Sequence, residues 1–241
     1  MWERVKEIIG KDIDQFEYDI IGKARNNDLQ AIFKLGRLYE QGLKIKRNDE
    51  KSVQLFQICS ENGIVDSKIR LADKMFMGEG ISKDIKKAKE LLEDGIESKK
   101  IMAFMLLGDI NVKEGNLSEA ILNYSKAEEI FKMDKQNVDE YTMAIMYGDL
   151  ARIYLSKNKN VYNPLKAIEY VDKALEGDVY CNAKEIGDLY YYGIGVNKDL
   201  KKAEFYYKRV ADEEMCNECP SNCNNYCRDQ LYRIWRPNPI K

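Results

Sequence analysis

The chain has 241 residues, of which 44% are apolar and 33% charged, a balance typical of soluble globular proteins and not of disordered ones. With 39 basic and 41 acidic side chains, its net charge of −2 gives no general attraction for nucleic acid or for an anionic membrane. Histidine is absent, which excludes Ser-His-Asp and Cys-His catalysis and any metal site built on imidazole.

The first 29 residues are predicted to form N-terminal capping helices, with one helix over residues 2–18. Charged and apolar residues alternate at the start of the chain, which argues against a secretory signal. The longest uninterrupted apolar run, residues 101–107, is far too short to span a membrane. We therefore expect a cytoplasmic protein without a membrane span, a setting in which structural disulfides are rare.

A repeated pattern occupies residues 30–215. Its clearest copies, residues 70–96 and 185–211, align without a gap, so that Gly193 and Gly195 fall on Gly78 and Gly80. Leucine or isoleucine anchors recur at positions 35, 71, 107, 150 and 186, at intervals of 36, 36, 43 and 36 residues. A fixed period of this length indicates a stack of repeats. We predict five helix hairpins, at residues 30–65, 66–101, 102–138, 139–180 and 181–215.

Each repeat is predicted to be a pair of helices. A small pair such as Leu35-Gly36 lets the first helix approach its neighbour closely, and Tyr39 continues the same helical face. The glycines that follow end this helix, because glycine accepts the left-handed conformation of a C-terminal turn. An Asn or Asp then caps the second helix. Since each hairpin leaves one face uncovered, neighbouring hairpins must stack into a solenoid.

This pattern, A-x3-L-G-x2-Y-x2-G-x-G-[VI]-x2-D-x2-K-A, resembles the Sel1-like repeat, a relative of the tetratricopeptide repeat. Residues 67–96 and 182–211 match it closely, whereas residues 31–63 have Lys44 where the second glycine belongs. Residues 144–174 lack both glycines, and residues 103–130 are closer to a plain tetratricopeptide unit. The resemblance implies an all-α fold, a right-handed α-solenoid of about five hairpins with capping helices at both ends.

The resemblance also implies a concave groove, lined by the first helices, that binds a protein or peptide. The alternating charge, methionine and aromatic side chains expected there are typical of an adaptable binding surface. The alternative is that some of these side chains pack against adjacent helices. The predicted groove residues are Phe33, Arg37, Asp73, Phe76, Met105, Asp109, Arg152, Leu155, Asp188, Tyr191 and Tyr192. We predict a non-enzymatic scaffold or adaptor, whose partner could be an enzyme that it regulates.

The stretch Gly193-Ile194-Gly195 suggests a second interpretation, since lysines follow it at 198, 201 and 202. A phosphate-binding loop should follow a strand and open onto a helix, whereas these glycines follow a helical pattern. The same glycine pair recurs at residues 78 and 80. We therefore interpret these glycines as helix-ending residues and not as a phosphate loop.

The C-terminal segment, residues 216–241, is predicted to be a cysteine-rich cap with a closing helix at residues 224–235. Its C-x2-C-x3-C-x3-C pattern would suit one zinc ion, because a tetrahedral zinc site takes four clustered thiolates. Buried or redox-active thiols, an iron–sulfur cluster and disulfides are the alternatives. The candidate ligands are Cys216, Cys219, Cys223 and Cys227. The alternative function is accordingly a metal- or redox-active protein, and neither partner identity nor oligomeric state follows from repeat residues.

Overall fold

The structure is a computed structural model that describes residues 1–16, 18–42, 45–136 and 138–211, together with residues 230, 231 and 234. Within these ranges every regular element is a helix. A 3₁₀ helix, Gly10–Gln15, lies between the first two α-helices. The α-helices are α1 Trp2–Ile9, α2 Tyr18–Arg25, α3 Leu29–Gln41, α4 Asp49–Glu61, α5 Val65–Met77, α6 Ile85–Glu97, α7 Ile101–Glu114, α8 Leu117–Met133, α9 Glu140–Tyr154, α10 Pro164–Glu176, α11 Ala183–Tyr192 and α12 Leu200–Ala211.

The chain divides after Gly115 into two compact units, Met1–Gly115 (unit 1) and Asn116–Lys241 (unit 2). In unit 1, α3 packs on α4 and α5 on α6, and in unit 2, α9 packs on α10 and α11 on α12. We call α3, α5, α7, α9 and α11 the first helices, and α4, α6, α8, α10 and α12 the second helices. Packing of consecutive helices in pairs is the arrangement of an α-solenoid, so the predicted fold class is confirmed.

The N-terminal segment differs from the prediction of a single helix over residues 2–18. Gly10 adopts a φ of 54° and ends α1, and the chain continues as the 3₁₀ helix. Val5 and Ile9 of α1 are fully buried and join a core that also contains Ile32 and Leu35 of α3. The segment therefore covers the apolar side of the first hairpin, as a cap must.

Polar caps begin four of the second helices at the same position of the repeat. The side chains of Asn48, Asp84, Asn163 and Asp199 each accept a hydrogen bond from the backbone N–H three residues later, at 2.9 to 3.1 Å. These bonds satisfy donors that the first helical turn leaves without a partner. The caps expected from the sequence at α4, α6, α10 and α12 are thus confirmed.

The glycine pairs of the repeats have two distinct structural roles. Gly193 ends α11 in the left-handed conformation, with a φ of 71°, so its interpretation as a helix-ending residue is confirmed. The second glycines, Gly80 and Gly195, also have a positive φ, and each lies against the first residue of the second helix of the preceding repeat. A Cβ at Gly80 would collide with the backbone of Asp49, and one at Gly195 would lie 2.6 Å from Pro164 Cγ. The second glycine therefore allows neighbouring repeats to approach closely.

The glycine of the Leu-Gly pair allows close packing within a hairpin. A Cβ at Gly36 would lie 2.7 Å from the Phe56 ring, and one at Gly187 would lie 2.5 Å from the Tyr207 ring. Both rings are buried completely. These contacts confirm the role predicted for the small residue.

The longer interval after position 107 appears in helix length, since α8 has 17 residues and α9 has 15, against 13 in α4, α6 and α10.

Candidate binding surfaces

Unit 1 carries six of the predicted groove residues on α3, α5 and α7. Four are half-buried and accessible in part to a partner, namely Phe33, Arg37, Asp73 and Asp109. Phe76 and Met105 are buried, each with 9% of its residue surface exposed. Phe76 also belongs to the apolar core of α5, α6 and α7, so little of its ring is available to a ligand.

Three charged side chains on α3 and α5, Arg37, Arg70 and Asp73, lie near one another, and we call them the charged patch. Arg37 and Asp73 hold equivalent positions one repeat apart. Burial lowers the pKa of the Arg37 guanidinium, and the nearby positive charge of Arg70 lowers it further. Burial raises the pKa of Asp73, while the charge of Arg70 opposes that rise. An arginine keeps its proton in proteins, so two positive charges lie side by side on this patch.

The two arginines of the charged patch have donors that the fold does not use. Arg37 Nε lies 2.9 Å from Glu40 Oε2, but without the alignment of a hydrogen bond, and this buried N–H has no other acceptor in the described part of the chain. Within the described part of the chain, no carboxylate lies within 4.0 Å of the Arg70 guanidinium. Guanidinium groups bind carboxylates through paired N–H donors. The Arg37 side chain is 30% exposed and Arg70 is half-buried, so the accessible N–H groups of these two guanidinium groups can bind a carboxylate of another molecule.

A buried lysine holds α5 against the first repeat beside this patch. Lys74 Nζ, with 4% of its side chain exposed, lies 2.7 Å from Asp49 Oδ1 and 2.8 Å from Glu79 Oε2. Glu40 Oε1 lies 3.8 Å away, and Arg47 binds both Asp49 and Glu79. A charge this deeply buried needs several opposite partners, and it has them here. The Lys74 network thus positions α5 relative to α3 and α4.

Two carboxylates that contact Lys74, those of Asp49 and Glu79, have pKa values below their ordinary range. Burial alone would raise the pKa of Asp49, but hydrogen bonds from Lys74 and Arg47 outweigh burial and lower it. The hydrogen bond from Lys74 also lowers the pKa of Glu79.

Sequence reasoning missed Lys74 and Arg70. The signal for Lys74 in the sequence is weak, since it follows Asp73 and precedes the apolar Met75 and Phe76.

Unit 2 carries the remaining predicted groove residues on or at the end of α9 and α11. Tyr192 is 54% exposed and meets the half-buried Tyr191 edge-on, with ring centroids 4.8 Å apart. Asp188 is engaged within unit 2, because Lys184 Nζ lies 2.8 Å away and the Tyr207 hydroxyl donates to it at 2.7 Å. The others are the half-buried Leu155 and the exposed Arg152, which pairs with Asp149 at 2.9 Å.

The four clustered cysteines, Cys216, Cys219, Cys223 and Cys227, lie outside the described residues. Within the described ranges, no three His, Cys, Asp or Glu side chains form a group that could hold a metal ion. The other two cysteines, Cys59 and Cys181, are buried and form no disulfide within the described residues, and burial raises the pKa of Cys59 to about 11. The Cys59 thiol is therefore not suited to act as a thiolate near neutral pH.

The zinc hypothesis for the cysteine cluster stays a prediction. Protein purified under reducing conditions is expected to contain about one zinc ion per chain by elemental analysis. Replacement of Cys219 and Cys223 by serine should remove that zinc, whereas replacement of the buried Cys181 by serine should leave it bound. A zinc content below about half an equivalent, with no iron, would exclude a metal site at this cluster.

Three segments of the chain, residues 29–63, 65–97 and 184–214, match the Sel1 repeat. Among solved structures, the chain is similar to a Sel1 repeat protein from Oxalobacter formigenes, with 21% identity and a TM-score of 0.62, over 90% of this chain and 86% of that one. It is also similar to c5321, a protective antigen present in uropathogenic Escherichia coli strains and displaying an SLR fold, with 19% identity and a TM-score of 0.52. That match covers 89% of this chain and 50% of c5321. No curated protein matches the sequence.

Proposed function

The chain carries three Sel1 repeats and belongs to the Sel1 repeat family, and on that premise we propose that it is a non-enzymatic scaffold that binds a segment of a partner protein. Sel1 repeats generally mediate interactions between proteins, and the resemblance read from the sequence is confirmed. The finer proposal is that the charged patch of unit 1 receives a carboxylate of the partner. Where the partner is an enzyme, we propose that binding to the scaffold regulates its activity.

The observation that carries this proposal is the pair of adjacent arginines on consecutive first helices. Arg37 pairs with Glu40 but has a buried Nε–H that makes no aligned hydrogen bond, and Arg70 has no ion pair within the described part of the chain. Two like charges held together favour an anion between them, because it relieves their repulsion. Phe33, whose ring centroid lies 5.5 Å from that of Phe56, supplies a half-buried aromatic surface on the same helix as Arg37. Arginine and aromatic side chains are the residues that most often dominate protein interfaces.

The cellular location of the protein and the class of its partner stay predictions. No helix in the described ranges combines the length and the apolar character needed to cross a bilayer. We propose a cytoplasmic location and a protein partner, with no role for nucleic acid, on the strength of the near-neutral charge of the whole chain. Zinc at the C-terminal cysteines remains a separate proposal, tested by the elemental analysis described above.

Charge reversal at Arg70 is expected to remove partner capture. The tagged full-length chain should enrich one or more proteins from a lysate of its source cells, as quantified by mass spectrometry. Arg70→Glu should lower that enrichment at least about tenfold, since it places a carboxylate where the partner's carboxylate would bind. Raising the salt concentration should weaken capture by the unaltered chain, because screening reduces charge attraction.

The matched control is Lys86→Glu, which reverses one exposed charge on the second helix α6 of the same unit. Lys86→Glu should retain every partner, and both variants should keep the circular dichroism spectrum of the unaltered chain. Equal capture by the Arg70→Glu variant would contradict the charged patch as the binding surface. Failure of the unaltered chain to enrich any protein would contradict the scaffold function itself.

A further inference from the structure

A cleft lies between α10 and α12 of unit 2, and none of the predicted groove residues is among the residues that line it. Its cavity volume is about 740 Å³, and its polar and aromatic lining comprises Asp172, Glu176, Lys201, Lys202, Phe205 and Arg209. A second cavity of about 750 Å³ lies at the turn that precedes α12. Tyr190 and Lys202 line both cavities, which therefore adjoin each other on unit 2.

The floor of this cleft is built from two tyrosines in fixed positions. The rings of Tyr190 and Tyr206 are stacked, with centroids 5.9 Å apart and planes at 7°. The Tyr206 hydroxyl donates a hydrogen bond to Asp172 at 2.7 Å, which ties α12 to α10. Both tyrosines are buried, and burial together with the bond to Asp172 raises the pKa of Tyr206. The floor is therefore an uncharged aromatic surface that a ligand meets without rearrangement.

The wall formed by α12 is basic. Lys201, Lys202 and Arg209 are exposed, and within the described residues none of them forms an ion pair with a carboxylate. Instead, Lys202 Nζ lies 5.0 Å from the Tyr190 ring centroid, and the Arg209 guanidinium lies 5.3 Å from that of Phe205. Phe205 itself is 47% exposed. The α12 wall thus presents three cations and an accessible aromatic ring.

The spacing of these cations selects the class of ligand. Lys201 and Arg209 are eight residues apart on one helix, a distance of about 12 Å along its axis, which is too long for one phosphate group to reach both. The backbone N–H groups of Lys201 and Lys202 already donate to Asp199, at 3.0 and 3.1 Å. Because the Asp199 carboxylate occupies that helix end, it repels a phosphate there. The cleft is therefore suited to several separated carboxylates and not to a single phosphate.

The wall of the cleft formed by α10 has groups that suit the backbone and side chains of a protein segment. Asp172 and Glu176 on α10 repel acidic side chains, so the carboxylates of a ligand must face α12. The oxygens of these two residues can instead accept hydrogen bonds from the backbone N–H groups of an extended chain. Leu175, Ile168 and Phe205 add apolar surface to the lining of the cleft. We propose that this cleft binds an extended acidic segment of a partner protein, with an apolar side chain on Phe205 and carboxylates on Lys201, Lys202 and Arg209. This second surface lies on α10 and α12 and is separate from the charged patch of unit 1.

A random dodecapeptide library displayed on phage, selected on the immobilised full-length chain, tests this proposal. Enriched peptides are expected to carry several Asp or Glu residues around a Phe, Leu or Ile. A fluorescein-labelled copy of the most enriched peptide then gives affinities by fluorescence anisotropy. Lys201→Glu with Lys202→Glu should weaken its binding at least about tenfold, and Phe205→Ala about fivefold, as expected for charged and aromatic contacts at an interface centre.

The repeat itself supplies the control, since Lys86 and Lys87 occupy on α6 the positions of Lys201 and Lys202 on α12. Lys86→Glu with Lys87→Glu should leave the affinity unchanged, because Glu90 stands on α6 where α12 has Phe205. Arg70→Glu should also leave it unchanged, which separates this proposal from the proposed function. Selection without acidic enrichment, or equal losses in both lysine pairs, would overturn the proposal. Displacement of the peptide by millimolar pyrophosphate, but not by sodium chloride of equal ionic strength, would assign the cleft to phosphate instead.

Discussion

Replacing Lys74 with methionine is expected to destabilise the protein by about 3 kcal/mol at neutral pH. Methionine keeps the length of the buried side chain but removes the charge that faces Asp49, Glu79 and Glu40. Removing one partner of a buried ion pair usually costs about 3–5 kcal/mol, and we expect the lower end because the carboxylates are partly exposed to water. Urea unfolding followed by circular dichroism measures the free energy of unfolding.

Lowering the pH should narrow the difference in the free energy of unfolding between the Lys74→Met variant and the unaltered chain. In the unaltered chain the pKa values of Asp49 and Glu79 are lowered, so their stabilising contribution is present above the ordinary carboxyl pKa and is lost as the pH falls through the folded values. In the variant, burial of Asp49 is no longer offset by Lys74, and protonation of that carboxyl relieves the cost. The free energies of unfolding should therefore converge as the pH falls below 4.5, the ordinary pKa of a glutamate, and through the lowered values of Asp49 and Glu79.

The control for this prediction is Lys86→Met, which removes an exposed charge and should change the stability by no more than about 0.5 kcal/mol. If Lys74→Met proved as mild as this control, the network would not be what holds α5 against the first repeat. A variant with both Lys74→Met and Glu79→Gln should recover part of the loss, because one uncompensated carboxylate is removed with the lysine.

Replacing Gly187 with alanine is expected to destabilise the protein by about 2–3 kcal/mol, although alanine is the better helix former. The new Cβ would lie 2.5 Å from Cε1 of Tyr207, a ring with no exposed surface. Tyr207 cannot move aside without cost, since its hydroxyl donates to Asp188 at 2.7 Å. Relief of the collision must therefore separate α11 from α12, and the midpoint of thermal unfolding should fall.

The control is Gly22→Ala, at a glycine of α2 whose added Cβ would meet no atom within 4 Å. There alanine should stabilise the helix by up to about 1 kcal/mol, because only its higher helix propensity acts. The two substitutions are chemically identical, so opposite signs would isolate the effect of helix packing. Stabilisation by both would mean that α11 and α12 tolerate a methyl group between them.

Features that depend on a few neighbouring residues could be predicted from the sequence. The glycine at position 193 ends a helix, and Asn48 and Asp84 cap one, because backbone conformation and side-chain reach decide both. The Leu-Gly pairs likewise predicted close helix packing, since a missing side chain has the same meaning in every copy of a repeat. The fold class followed from these local signals and from the spacing of the anchors.

The surfaces proposed to bind partners depend instead on how one repeat rests on the next. Gly80 meets Asp49, and Arg70 comes beside Arg37, only because stacking brings together residues about one repeat apart in the sequence. The cleft of unit 2 likewise requires α10 and α12 to be placed side by side. Repeat spacing identifies which residues are equivalent but carries no measure of distance between side chains. Tertiary packing therefore decided that Lys74 is a buried charge and that Lys201 and Arg209 line one cleft.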